Sequence, residues 1–442
     1  MAKKKKIQDN DRLYSILHRY VNSVVKLSYN RIRYVGMERI PDDGAVIFAP
    51  NHTGTLMDAL VILACNNKPK VFVARADIFK NPTLAKVFRF FKMMPIMRMR
   101  DGMDEVKKNN RTIEQATEVL RDKVPFCIFP EGTHQTKYSL QTLSKGIFRI
   151  ALQTQELMPD IPLYIVPVGI RYGSFWRYRA SAHVQFGEPM KISDFQELYR
   201  DKTPQELMNI MRVALDERMK ETLHYIPNDE NYDATYEICA AVVKEQTKAL
   251  KKKAEYDGFK TADIQFAANN VTVKQIGKLK EENPELADKL FSLGNKAAKI
   301  RKTKNISLKS VVSRQYAICD ILKSLILLVT LPYTIAATLL TLPVTLLCNT
   351  IFKKFKDQAF RNSVRFIMNL IVWPLLMIIY AVIAYIFLPW QWALPLTLVL
   401  LPTPLIIHDV YKTARIMVSN FKLWRCRQLK DIYKEIKGII FK

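Results

Sequence analysis

The chain lacks most of the patterns that announce a bound group. Its six cysteines, at positions 65, 127, 239, 319, 348 and 426, form no Cys-x-x-Cys pair, which excludes zinc ribbons and thioredoxin-like chemistry. Cys127 and Cys348 lie in apolar runs and read as small buried hydrophobes, and the set suits a reducing compartment. There is no P-loop and no Rossmann glycine fingerprint. His18, His183, His224 and His408 stand apart, without ligand spacing, so no metal is expected. The N-terminal MAKKKKIQDNDR is polar and leads into an amphipathic stretch rather than an apolar one, so no cleavable signal peptide is expected.

What the chain has is positive charge and apolar length. Among 442 residues, 68 Lys and Arg face 41 Asp and Glu, a net charge of +27. Such an excess favours polyanionic partners: nucleic acid, anionic lipid headgroups or phosphorylated substrates. Zinc-finger spacing, RRM-like aromatics and Gly-rich RNA motifs are missing, which argues against nucleic acid. Residues 324–352 run for 29 positions without a charge, broken only by Pro332 and Pro343. Two further apolar runs, 366–388 and 392–407, follow across a short link. Basic residues flank these runs: Lys302, Lys304, Lys309 and Arg314 before the first, Lys353, Lys354, Lys356 and Arg361 after it, and Lys412 and Arg415 after the last. If basic flanks stay on the cytoplasmic side, 324–352 folds as a proline-broken hairpin and the later pair as a second one.

Five regions follow from composition and periodicity. Residues 1–30 form an amphipathic helix with Leu13, Ile16, Leu17, Tyr20, Val21, Val24 and Val25 at helical spacing; it either docks on the next domain or lies in a membrane interface, aided by Lys3–Lys6. Residues 31–227 alternate strand-like segments (Ala45–Ala49, Val71–Val73, Pro125–Phe129, Leu163–Val168, His183–Phe186) with helical ones (56–65, 82–92, 109–121, 143–157, 204–225). That alternation predicts an α/β domain with a mostly parallel sheet flanked by helices. Residues 228–315 are a charged helical insertion or linker, 316–410 a hydrophobic membrane region and 411–442 a basic C-terminal tail.

Four short motifs carry chemistry. Asn51-His52-Thr53-Gly54-Thr55-Leu56-Met57-Asp58 follows a strand and opens a helix, so His52 sits at a strand end and Asp58 in the first helical turn. A carboxylate on one imidazole nitrogen fixes the tautomer and raises basicity, leaving the other nitrogen to take a proton from an alcohol. Phe129-Pro130-Glu131-Gly132-Thr133 follows another strand, where Gly and Thr permit close approach to a phosphate that Lys137 and Lys145 can neutralise. Pro95-Ile96-Met97-Arg98-Met99-Arg100-Asp101 supplies arginine for bidentate phosphate binding, and Ile165-Val166-Pro167-Val168-Gly169 is an apolar strand.

In this order and spacing the four motifs resemble those of the glycerolipid acyltransferases, which include lysophosphatidate and glycerol-3-phosphate acyltransferases. The resemblance covers residues 31–225. It implies a twisted sheet flanked by helices, His52 as general base with Asp58 orienting it, and Arg98, Glu131, Gly132 and Thr133 in acceptor binding. It implies no cofactor beyond an acyl thioester cosubstrate (acyl-CoA or acyl-carrier protein), a phosphorylated glycerol or lysolipid acceptor, and an anionic membrane as partner. The expected location is integral to a membrane, with the catalytic domain on the cytoplasmic side. Two departures stand out: five residues separate His52 from Asp58 where the family most often has four, and His134 replaces the usual basic residue after Glu-Gly-Thr. Acylation of a lysophospholipid or aminolipid, and a nonenzymatic lipid-binding membrane protein, are the competing readings; a hydrolase activating water through His52 is a third.

Overall fold

A computed structural model describes residues 6–96, 109–313, 317–355 and 357–441. Arg98, Arg100, Asp101, Lys3–Lys5, Arg314, Lys356 and the 315/316 boundary lie outside the described residues. The chain divides into two compact units, Met1–Leu223 with Val344–Phe387, and His224–Pro343 with Leu388–Lys442.

The first unit is built on an eight-stranded sheet in the order β1-β7-β6-β2-β5-β3-β4, with β8 on β6. Its strands are β1 (Arg31–Val35), β2 (Ala45–Pro50), β3 (Val71–Arg75), β4 (Met93–Ile96), β5 (Phe126–Cys127), β6 (Leu163–Tyr172), β7 (Ser181–Phe186) and β8 (Met190–Lys191). The central β6-β2-β5-β3-β4 run is parallel, whereas β7 and β8 pair antiparallel to β6. The sheet is thus mostly parallel, as the alternation predicts. β2 is buried along its whole length, because parallel strands are covered on both faces. Ala45, Ile47 and Ala49 point to a core shared with helices Asn109–Arg121, Gly146–Leu157 and Pro204–Thr222. Val46 and Phe48 point to the other face, under helices Arg12–Ser28 and Leu56–Leu63 and Phe366. Gly169 is where helix Pro204–Thr222 meets the sheet: a Cβ there would lie 2.3 Å from the Thr222 carbonyl oxygen.

The sequence pattern misses β1 and β4, which are the two edges of the sheet. Edge strands need only one apolar face and tolerate the Arg31 and Arg33 of β1 and the Pro95 of β4. β5 is shorter than the expected Pro125–Phe129, although single bonds carry on at either end, from the Val71 N–H to the Pro125 carbonyl at 2.9 Å and from the Ile128 N–H to the Phe48 carbonyl at 3.0 Å.

Helix Arg12–Ser28 packs Tyr14, His18, Val21 and Val25 inward and leaves Leu13, Ile16, Tyr20 and Leu27 exposed. The 324–352 run differs from the expected hairpin: it breaks at Thr330, and Leu331–Phe352 is one helix that passes through Pro343. Pro332 lies in the first turn, where no intrahelical N–H bond is needed, and Pro343 removes only one such bond. Leu331–Phe352 and Phe360–Phe387 are each long and apolar enough to cross a membrane; Trp390–Leu400 with Thr403–Arg425, bent by 46°, makes a third if the pair is one span. The second unit gathers helices Tyr232–Leu250, Thr261–Glu282, Pro284–Thr303 and Arg427–Ile440 around Ile238, Val242, Leu290, Tyr433 and Ile436.

Candidate active site

The carboxyl ends of β2, β5 and β6 meet on one edge of the sheet, and the first two motifs leave from there. Asn51, just past β2, pins the loop sideways: its side chain accepts from the Ile170 N–H at 2.6 Å and donates to the Ile170 carbonyl at 3.1 Å. His52 is thereby launched from a fixed point. Its Nδ1 lies 2.8 Å from Asp58 Oδ2. The same oxygen accepts the N–H groups of Thr53 at 2.8 Å and Gly54 at 2.7 Å, while Oδ1 accepts the Tyr172 hydroxyl at 2.8 Å. The Asp58 side chain is 0% exposed and that of His52 20%. A fully buried carboxylate is costly unless its lone pairs are met, and here several donors meet them. The imidazole is therefore held by its Nδ1 edge and stays partly exposed.

Burial beside the Asp58 carboxylate pushes the Tyr172 hydroxyl well above its usual value, so it stays a donor. Tyr29 stacks on Tyr172 with ring centroids 5.7 Å apart and in turn accepts from the Asn362 amide at 3.3 Å. Tyr138 donates to the Tyr172 carbonyl.

The second motif joins the first through Glu131. Its Oε1 accepts the His52 backbone N–H at 2.7 Å and its Oε2 the Gln141 N–H at 2.9 Å. The Gln135 N–H returns to the His52 carbonyl at 3.0 Å. Burial raises the Glu131 carboxyl to about 7, against the two backbone N–H bonds that favour its charged form. Gly132 stands at φ +66°, and a Cβ there would meet nothing within 4 Å, so backbone conformation rather than crowding calls for glycine. Thr133 is committed to Gln141: its hydroxyl donates to Oε1 at 2.9 Å and its carbonyl accepts from Nε2 at 2.9 Å. Lys145 caps helix Gly146–Leu157, next to Ser144, whose N–H bonds the Pro130 carbonyl at 2.8 Å. Lys137, half-buried, lies on the same loop. Thus His52, Asp58, Glu131, Gly132 and Thr133 form one connected cluster, Lys137 and Lys145 border it in the chain, and Arg98 is outside the described residues.

His134 also joins the cluster. Its ring lies edge-on to His52 with centroids 5.7 Å apart, and its Nε2 is 2.7 Å from Asp357 Oδ2. Phe129 stacks on His52 at 4.4 Å, and Phe360 meets His134 edge-on at 5.4 Å. Tyr172, Tyr29, Gln141, Asp357, Phe360 and Asn362 lie outside the motifs as read from sequence. Asp357, Phe360 and Asn362 come from about 300 residues further along the chain than His52, a separation that no local pattern bridges.

The family model of the acyltransferases matches residues 31–171. Glycerol-3-phosphate O-acyltransferase 2 of Saccharomyces cerevisiae is 24% identical over 163 residues, 36% of this chain and 21% of that protein. The chloroplastic 1-acyl-sn-glycerol-3-phosphate acyltransferase of Arabidopsis thaliana is 25% identical over 146 residues, 32% of this chain and 39% of that protein. This chain thus spans well under half the length of either relative. The crystal structure of the 1-acyl-sn-glycerophosphate acyltransferase PlsC from Thermotoga maritima is similar over 47% of this chain and 83% of that one, at 21% identity and a TM-score of 0.33. Residues 31–171 thus match the acyltransferase family model, and within that stretch the chain is similar to glycerolipid acyltransferases.

Proposed function

We propose that this protein moves a fatty acyl group from an acyl thioester, acyl-CoA or acyl-carrier protein, to a hydroxyl of a glycerol-3-phosphate- or lysophosphatidate-like acceptor. The observation that carries the reading is the 2.8 Å contact between His52 Nδ1 and an Asp58 carboxylate that several donors hold in place. In this mechanism His52 Nε2 takes the proton of the acceptor hydroxyl as its oxygen attacks the thioester carbon. Asp58 stabilises the imidazolium that results. The C–O bond forms, the C–S bond breaks, and the proton passes from the imidazolium to the departing thiolate.

Glu131 serves by joining the two loops that flank the attack path, since both of its oxygens are engaged by backbone N–H groups. Arg98, Lys137 and Lys145 supply positive charge for the acceptor phosphate, with Gly132 giving room for its approach. The net charge of +27 draws in acidic substrates and an anionic leaflet, with the domain on the cytoplasmic face.

The test is thiol release from palmitoyl-CoA by the detergent-solubilised chain, with glycerol-3-phosphate, with lysophosphatidate and with no acceptor. Acceptor-dependent release that disappears in His52→Ala supports the proposal. Equal release without acceptor means hydrolysis instead. No release from palmitoyl-CoA or from an acyl-carrier protein means a lipid-binding protein.

A further inference from the structure

The turn between His52 and Asp58 contains a residue in the wrong conformation for its type. Thr55 has φ +54° and ψ −124°. The Met57 N–H bonds the Gly54 carbonyl at 3.1 Å, so Gly54–Met57 is a turn of the II′ kind with Thr55 at its first central position. That position favours glycine, and a β-branched residue with positive φ is strained there. Such strain persists only where the surroundings over-determine it.

What holds Thr55 comes from far along the chain. Its buried hydroxyl lies 2.8 Å from the hydroxyl of Ser363, which is also buried. Ser363 sits in the first turn of the long apolar helix Phe360–Phe387. That helix has 28 residues, whereas a span needs about 20, so its first turns can stay with the sheet domain while the rest enters lipid. The exposed Ile371, Leu375, Ile378, Val382 and Ile386 follow this division. The neighbouring Asn362 reaches the other side of the pair, through Tyr29 and Tyr172 to Asp58 Oδ1.

We propose that Ser363, outside the acyltransferase domain, is a positioning residue for the His52–Asp58 pair, acting through the strained backbone of Thr55. If Thr55 relaxed to negative φ, the preceding peptide units would turn. The Thr53 and Gly54 N–H groups would leave Asp58 Oδ2, and the carboxylate would lose its register with the imidazole. Seating of a membrane helix thereby completes the site. The inference rests on the acyl-transfer reading for its kinetic arm only.

The experiment uses the full chain in micelles and a double-mutant cycle between Ser363→Ala and Thr55→Gly. One readout is palmitoyl-CoA-dependent transfer to glycerol-3-phosphate or lysophosphatidate. The other is amide hydrogen exchange of the peptide covering residues 51–58, which needs no activity. Ser363→Ala alone should lower kcat by roughly 10–100-fold with little change in KM, as expected of a misplaced catalytic pair. It should also speed exchange at Thr53 and Gly54. In the Thr55→Gly background, where the turn is at ease, adding Ser363→Ala should change neither readout further.

Wild-type kcat and exchange in Ser363→Ala would overturn the proposal, and so would an equal loss in both backgrounds. If the unmodified chain transfers no acyl group yet the exchange pattern follows the cycle, the function reading fails and the positioning role stands.

Discussion

In the sheet domain the two buried carboxylates of the site, Asp58 and Glu131, are held by backbone N–H groups, a tyrosine and an imidazole. In the helical unit the buried Glu237 faces Arg301, whose Nε lies 2.8 Å from each of its oxygens, and accepts the Tyr433 hydroxyl at 2.6 Å. Both solutions satisfy a buried charge, but they leave different chemistry behind. A permanent guanidinium cancels Glu237, which ties helices Tyr232–Leu250, Pro284–Thr303 and Arg427–Ile440 together. Backbone dipoles hold Asp58 without cancelling it. In the proposed mechanism its charge would meet the imidazolium formed when His52 takes the acceptor proton.

Substitutions can break that contrast. The largest effect is expected from His52→Ala, which should lower kcat by about 10²–10⁴-fold while the unfolding temperature stays close to that of the parent. Steady-state kinetics beside a thermal scan checks both halves. Next comes Glu237→Ala, which leaves the mostly buried Arg301 guanidinium without its carboxylate and should cost about 3 kcal/mol in the helical unit. Denaturant titration followed by hydrogen exchange should place that loss among residues 232–303 and 427–440. Acyl transfer per folded molecule should persist; a kinetic collapse matching that of His52→Ala would erase the distinction between the regions.

Glu131 sharpens the comparison through pH. Its carboxyl rises from 4.5 to about 7 on folding, so between those values the folded chain keeps a proton that the unfolded chain has released. Its contribution to stability is full below about 4.5 and falls as the pH climbs to about 7, by up to about 3 kcal/mol. Thermal scans across that window should show the slope in the parent chain and a flatter one in Glu131→Gln. An unchanged slope would mean that another group sets it. The smallest effect belongs to Thr203, whose hydroxyl accepts the Glu206 N–H while Glu206 bonds back to the Thr203 N–H. Thr203→Ala should cost about 1 kcal/mol in the urea midpoint and leave kcat alone.

The parts of this protein that the sequence makes legible are those where local order carries the meaning. β2 and β6 are short apolar runs, and the His52 and Glu131 motifs follow strands, so their place at strand ends can be read directly. The edge strands β1 and β4 are harder, because an arginine-rich or proline-bearing edge has no periodic signature. The apolar run at 324–352 shows composition but not path: a proline suggests a break, yet Pro343 is carried inside one helix.

The amino-acid order by itself determined the sheet domain's strand–helix alternation, the His52…Asp58 and Glu131-Gly132-Thr133 pairings with their strands, and the apolar lengths that can enter a membrane. Those properties depend on neighbours a few residues away. Only the tertiary structure decided that Glu131 spends both oxygens on backbone N–H groups, that Tyr172 closes the Asp58 shell, and that Asp357, Asn362 and Ser363 reach the site. Apart from the Glu131–Gln141 bond, these contacts join residues 79 to 333 apart in the chain, with Tyr172 114 residues from Asp58. Their partners are chosen by which strand ends and helix turns the packed core brings within hydrogen-bond reach, and no spacing along the chain encodes that choice.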